Sequence, residues 1–231
     1  MPVELQPPPI AFDDVLARAL SSEGHSEPAI HRLVAQTVES LGIRGELMVD
    51  VGCGRGDLWS DLRPRFSRCI GVDAARYPGL PPGMELCEAQ LDLPIPLPDA
   101  IADLVVCVET IEHLENPRAL MRELTRLARP GGWLIVTTPN QLSLLSLMTL
   151  IVKQRFGHFQ DVHYPAHLTA LLAVDLQRMA AECGLEEAAI HYTMSGRIAF
   201  TGRHYPRFLS RAFPSALSDH VLLSARKPAT R

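Results

Sequence analysis

The sequence predicts an α/β protein built on a mostly parallel sheet with helices on both faces, and three observations predict it. From about residue 46 onward, short apolar runs of strand length alternate with segments of helical periodicity. One of these strands, Leu47–Val51, runs straight into the loop Gly-Cys-Gly-Arg-Gly and then into a helix opening near Asp57. Another, Asp103–Val108, is apolar along nearly its whole length, as a strand covered on both faces must be.

In chain order, Pro7–Pro9 favours an extended leader, and Phe12–Leu20 and Pro28–Leu41 read as helices. In the second helix Ile30, Leu33, Val34, Val38 and Leu41 recur on one face, and Pro28 suits a first-turn position. Further strands are predicted at Arg68–Asp73, Met84–Ala89, Trp133–Thr138, Ala188–Tyr192 and His220–Ala225. Pro117–Ala128 carries Leu120, Leu124 and Leu127 on one helical face, with Arg129–Gly132 as its stop. A last helix is expected at about Thr169–Cys183, closed by Gly184; Gly196–Ser218 takes no assignment. These elements divide the chain into a leader and helix over residues 1–27 and one domain over 28–231, with residues 141–168 as a covering segment.

The 231 residues are 47% hydrophobic and 21% charged, enough to bury one sizeable core. Seven basic residues and one acid fall in Gly196–Arg231, so the remainder is strongly acidic. With aromatics at only 6%, a nucleic-acid surface is not expected. The five cysteines, Cys53, Cys69, Cys87, Cys107 and Cys183, show no C-x-x-C pair, which predicts reduced thiols and a cytoplasmic protein. No secretory signal and no membrane span is expected; the longest apolar stretch, Leu142–Val152, is too short to cross a bilayer.

The glycine loop points to a bound ligand. Glycines let the backbone turn sharply and approach a ligand closely, and the helix that follows offers free N–H groups. Asp73 ends the next strand about 20 residues on, where an acid can hold both hydroxyls of a ribose. The spacing is G-x-G-x-G and not that of a pyrophosphate cradle, which argues against a nicotinamide dinucleotide. Asp50 adds a negative charge beside the loop, better suited to an ammonium or sulfonium ligand than to phosphate.

Taken together, Val49–Gly56, Gly71-Val-Asp73, Asp103–Glu109 and Leu127–Val136 closely resemble the motifs of the class I S-adenosylmethionine (SAM)-dependent methyltransferases, over about Pro28 to Lys227. The resemblance implies a Rossmann-like seven-stranded sheet with the last strand antiparallel, and SAM across the strand carboxyl ends between the first and fourth strands. It also implies that Gly52, Cys53 and Gly54, with Asp50 and Gly56 completing the loop, receive the methionyl part. Asp73 would hold the ribose and Ala74 flank the adenine. Gln90 and Leu91 follow the third strand, with Gln90, or its competitor Asp92, on the adenine amino group.

Glu109, Glu112 and His113 have the spacing i, i+3, i+4 and would share one face if the fourth strand turned directly into a helix. Two carboxylates and an imidazole make a hard site suited to Mg²⁺ or Mn²⁺. The pattern resembles the metal motif of small-RNA 2′-O-methyltransferases and of ubiquinone-pathway O-methyltransferases. His167 is the preferred further ligand and His163 the second choice, while His158 reads as a solvated loop residue. Without a metal, His113, aided by Glu112, is a candidate general base, and Glu109 could instead position the donor's ammonium group.

The expected function is methyl transfer to an oxygen, ahead of a nitrogen, of a small-molecule acceptor. The alternatives are a metal-dependent RNA 2′-O-methyltransferase and a catalytically silent SAM-binding partner protein. The leucines of Leu142–Phe156 are expected in core or lid packing, and the arginines of Gly196–Arg211 at the surface.

Overall fold

A computed structural model describes residues 24–199 and 201–229. The predicted leader at Pro7–Pro9 and the helix Phe12–Leu20 lie outside the described residues. Helix α1 (Pro28–Ser40) starts on its proline, whose missing N–H costs nothing in a first turn, and buries Ile30, Val34 and Val38. Strand β1 (Gly45–Val51) leads into α2 (Asp57–Leu62), followed by β2 (Phe66–Asp73), β3 (Met84–Glu88) and β4 (Ala102–Cys107). Helix α3 (Pro117–Leu127) passes directly into β5 (Ala128–Pro139). Then come α4 (Leu144–Lys153), α5 (Ala173–Glu182), β6 (Glu186–Tyr192), α6 (Arg207–Ala212) and β7 (His220–Arg226).

Among the described residues the seven strands form one sheet in the order β3-β2-β1-β4-β5-β7-β6. Neighbours are parallel except for β7, which runs antiparallel to both β5 and β6. Strand order reverses between β1 and β4, so the loops leaving those two strands diverge and open a crevice at their carboxyl ends. The period of two in a strand sorts the central side chains between two cores. Leu104 and Val106 of β4 pack with Met48 and the apolar faces of α1 and α2. Val105 and Cys107 pack with Val49 and with α3 and α5 on the opposite face. Leu120, Leu124 and Leu127 are all buried there, each stabilising the fold by roughly 1.5–3 kcal/mol relative to exposure.

Three predicted elements are corrected. The strand after α3 begins at Ala128, and Arg129–Gly132 lies inside it as a bulge: Ala102 pairs with Ala128 while Leu104 pairs with Trp133. The helix expected at about Thr169–Cys183 begins at Ala173, because the N–H groups of Leu168 and Thr169 donate to the Glu112 carbonyl at 2.9 and 3.0 Å and hold that segment extended. Of the core or lid packing expected of α4, the structure excludes the core. Ser146 is its one buried residue, while Ile151 and Val152 are 75% and 76% exposed, so its apolar residues look outward from beyond the end of the sheet. No described helix is long and apolar enough to cross a membrane. The five cysteines are free thiols.

The β3–β4 connection forms part of the crevice wall, and Arg126 makes several of the bonds that hold it. Arg126 Nη1 donates to the Leu97 carbonyl at 2.8 Å and to Asp99 at 2.6 Å, and Nη2 to the Ile95 carbonyl at 2.9 Å and to Glu123 at 2.8 Å. Replacing it leaves two half-buried carbonyls and a partly buried carboxylate without their donor. Arg126→Met is therefore expected to lower unfolding free energy by about 2 kcal/mol. Urea denaturation followed by circular dichroism checks this, with Arg122→Met on the same helix as the near-neutral control.

Candidate active site

The loops leaving β1, β2 and β4 surround a cavity of about 370 Å³. Its wall includes Gly52, Cys53, Gly54, Asp73, Ala74, Leu91, Asp92, Glu109, Glu112 and His113. Gly52 has φ +77°, and a Cβ there would strike the Thr110 side chain, so the β1 and β4 loops approach each other closely only because this residue is glycine. At Gly54, φ +51°, a Cβ would strike the Gly24 carbonyl of the chain crossing above it. Asp73 ties the loop in place, accepting from the Gly54 N–H at 2.9 Å and the Ala75 N–H at 3.0 Å. A carboxylate has about four lone-pair positions, so these backbone bonds leave acceptor capacity for a ribose hydroxyl. Asp50, Gly56 and Gln90 do not line the cavity. Asp92, the competitor of Gln90, does line it. Asp50 is buried behind the loop, and burial, reinforced by the Asp73 charge, pushes its carboxyl up to about 7.

The Glu-Thr-Ile-Glu-His segment does not continue β4 as a helix. Glu109 takes φ +48°, which costs a non-glycine residue about 1 kcal/mol, and a single 3₁₀ turn follows at Ile111–His113. The turn sends the two carboxylates to different partners. Thr137 on β5 clamps Glu109 at both ends: its Oγ1 accepts from the Glu109 N–H at 3.0 Å and donates to Glu109 Oε1 at 2.8 Å. The other carboxylate oxygen, Oε2, lies 2.9 Å from Nδ1 of His220. Burial would push the Glu109 carboxyl up, but the charge of His220 holds it below its usual range. Burial would likewise lower His220, and the Glu109 charge outweighs this and raises it to about 10. Glu109 and His220 thus form a buried ion pair.

Glu112 has no such partner. Thr138 Oγ1 donates to its Oε2 at 3.3 Å, and Oε1 has no hydrogen-bond partner among the described residues. Burial, and then the charge of Glu109, push its carboxyl well above the ordinary value. Of the four expected metal ligands, the structure groups three: Glu112, His113 and His167 each offer a donor atom within 4.8 Å of the others. Glu109 lies outside that group because His220 and Thr137 hold it. His167 meets His113 edge-on at 4.7 Å between ring centroids. It is carried there by the two backbone bonds that tie Leu168 and Thr169 to Glu112. Burial, then the charge of His113, lower His167 to about 4, and its Nδ1 is buried without a partner.

His158 is corrected from a solvated loop residue to a cavity wall residue. Its Nε2 accepts from Arg197 at 2.9 Å, so the proton of the neutral ring is on Nδ1. Arg197 is also turned inward, donating to the buried Asp219 carboxylate at 2.8 Å. Sequence reasoning missed His220, Glu27, Thr137 and Thr138. A signal for His220 existed. A strand running against its neighbours starts at the end where they finish, so the first residue of an antiparallel last strand must reach the site.

A family profile described as a methyltransferase domain matches residues 25–189. The chain belongs to the class I SAM-dependent methyltransferases. The ubiquinone biosynthesis O-methyltransferase of Aeromonas salmonicida is 28% identical over 199 residues, covering 78% of this chain and 83% of the relative. That of Chromobacterium violaceum is 29% identical over 153 residues, 62% of this chain and 66% of the relative. Among solved structures, a SAM-dependent methyltransferase from Archaeoglobus fulgidus superposes with TM-score 0.62 at 17% identity, over 85% of this chain and 94% of that one. At that identity the likeness speaks for the fold. The cradle at Gly52 and the carboxylate of Asp73 fit the methyltransferase cofactor, SAM, which supplies an electrophilic methyl group on a sulfonium.

Gly52→Ala in this methyltransferase combines a strained φ with a collision at Thr110, and is expected to weaken SAM binding by roughly 10- to 100-fold. Isothermal titration with SAM measures it. The buried ion pair predicts a second outcome. A group raised above its unfolded value stabilises the fold fully below that value and loses the effect as pH rises through the folded one. The stability gap between wild type and His220→Gln should therefore be full near pH 6 and narrow as pH approaches 10. Denaturant midpoints across that range test it.

Proposed function

We propose that this chain transfers the methyl group of SAM to a hydroxyl oxygen of a small-molecule acceptor, with His113 receiving the hydroxyl proton. The observation that supports this reading is the group Glu112, His113 and His167 in the wall of the cofactor cavity. Two of its buried atoms, Glu112 Oε1 and His167 Nδ1, lack partners among the described residues. A hydroxyl is both donor and acceptor, and it can satisfy such atoms at once where an apolar acceptor would leave them bare.

The reaction is an in-line displacement. The acceptor oxygen attacks the methyl carbon, the carbon–sulfur bond breaks with its electron pair going to sulfur, and S-adenosylhomocysteine leaves. Much of the work is alignment, since two bound reactants held in line react as one molecule. An imidazole titrates near neutrality, which suits His113 to take the proton as the oxygen gains carbon. Glu112 and the low-titrating His167 contribute hydrogen bonds to the acceptor. Ubiquinone biosynthesis O-methyltransferases, by their name, act on oxygen, which agrees with this reading.

The same three side chains fit a divalent cation. With Glu109 withdrawn the set is one carboxylate and two imidazoles, softer than the set expected from sequence, which moves the preference from Mg²⁺ toward Mn²⁺. Bound there, the ion would act as a Lewis acid that acidifies the acceptor hydroxyl. The strongly acidic body of the chain supports a small acceptor over an RNA.

The test uses 3,4-dihydroxybenzoate as a model acceptor with labelled SAM, with and without Mn²⁺, and tyramine as the amine and phenol control. An O-methylated catechol is expected. His113→Ala should lower turnover by about 10²- to 10⁴-fold while SAM affinity stays within about twofold. Methylation confined to the tyramine nitrogen, or full turnover in His113→Ala, would overturn the reading. Calorimetry of metal-stripped protein with SAM, then Mn²⁺, separates the two forms: stoichiometric binding lost in Glu112→Gln assigns an ion to the group.

A further inference from the structure

The segment Gly24–Glu27 crosses the glycine loop and forms part of the cavity wall. The Arg55 N–H donates to the Gly24 carbonyl at 3.2 Å. His25 Nδ1 lies 2.8 Å from Asp57 Oδ2, and the close approach of Gly24 to Gly54 leaves no room for a side chain at Gly54. Its last residue, Glu27, reaches a different part of the cavity. Glu27 Oε2 stands 3.6 Å from Nε2 of His220, an ion-pair distance. The other ring nitrogen of His220 bonds Glu109 at 2.9 Å. One buried imidazole on β7 therefore joins a carboxylate of the crossing segment to a carboxylate at the end of β4. The His158 ring also packs against it, 5.5 Å away and tilted across it, and Glu112 acts on it electrostatically.

We propose that His220 is a positioning residue that couples the seating of the Gly24–Glu27 strap over SAM to the orientation of Glu109. An imidazolium can donate from both nitrogens at once, and their opposed directions suit it to hold two carboxylates apart and in register. When the strap is seated, Glu27 adds a second anchor to His220 and stiffens the ring that holds Glu109 against Thr137. When the strap lifts, Glu109 keeps one bond to a ring free to turn. The cofactor thus meets its full set of contacts only under a seated strap. This inference relies on SAM binding alone and not on the nature of the acceptor.

The test is the full chain titrated with SAM by calorimetry, with S-adenosylhomocysteine release followed by stopped flow. Glu27→Gln and Glu109→Gln are each expected to weaken SAM binding, and their effects in the double variant should depart from additivity by at least about fivefold. The non-additivity should vanish when the same cycle is repeated on His220→Leu, since the linking ring is gone. Two single replacements split the roles. His220→Asn keeps a donor near the Nδ1 position toward Glu109, and should speed S-adenosylhomocysteine release and hydrogen exchange at residues 24–27. His220→Gln keeps a donor near Nε2 toward Glu27, and should preserve the slow release and the exchange protection. Additive effects of Glu27 and Glu109, or coupling that survives in His220→Leu, would overturn the proposal. So would equal behaviour of the Asn and Gln variants. If His220→Leu does not fold, the cycle on His220→Asn decides by the same criterion.

Discussion

Two carboxylates buried three residues apart cannot both remain ionised in a dry site, and the arrangement around β4 follows from that constraint. Glu109 keeps its charge because β5 supplies Thr137 and β7 supplies His220. Glu112 receives one long hydrogen bond from Thr138, and burial pushes its carboxyl up. The different partners of the two carboxylates give a single cavity two different surroundings. Around Glu109 lie charged groups, with Glu27 held down to about 2 by its ion pair with His220. Around Glu112 lie His113 and His167, and burial lowers His167 to about 4.

Topology makes this division possible. The reversal of strand order between β1 and β4 opens the crevice, and the glycine loop lets β1 lean against Thr110 without closing it. The antiparallel β7 then delivers its first residue to the end where the parallel strands finish. Pro139 pairs with His220, and Thr138 with Val221, so the two threonines and the histidine arrive at one level of the sheet. No local sequence feature sets that level. It comes from the register of a strand that enters the sheet 80 residues after its partner.

Much of the fold was legible because it rests on short-range physics. All seven strands were visible as apolar runs, and helices α1 and α3 as leucine, isoleucine and valine stripes with proline at the first turn. The glycine loop and Asp73 were legible as a ligand site because positive φ and an acid at the end of the next strand answer one need. What was misread shared a different property. Helix α4 could be read as core or as lid because composition says how apolar a segment is and not which neighbour covers it. His158 looked solvated because a polar residue in a loop carries no sign of the arginine that will turn inward to meet it. Glu109 was counted with Glu112 and His113 because a helical continuation would have put all three together, whereas a positive φ at Glu109 broke the pattern.

By itself the sequence determined the α/β class, the order of strands and helices, the glycine cradle, and the residue types available for chemistry. These are set by periodicity, by backbone freedom and by side-chain functional groups, all of which act locally. Only the tertiary structure decided which carboxylate is charged, which histidines are neutral, and that His220 stands between Glu109 and Glu27. Ionisation in a buried site depends on the distance to the nearest opposite charge and on the water removed around it. Both are properties of chain segments brought together from opposite ends of the sequence.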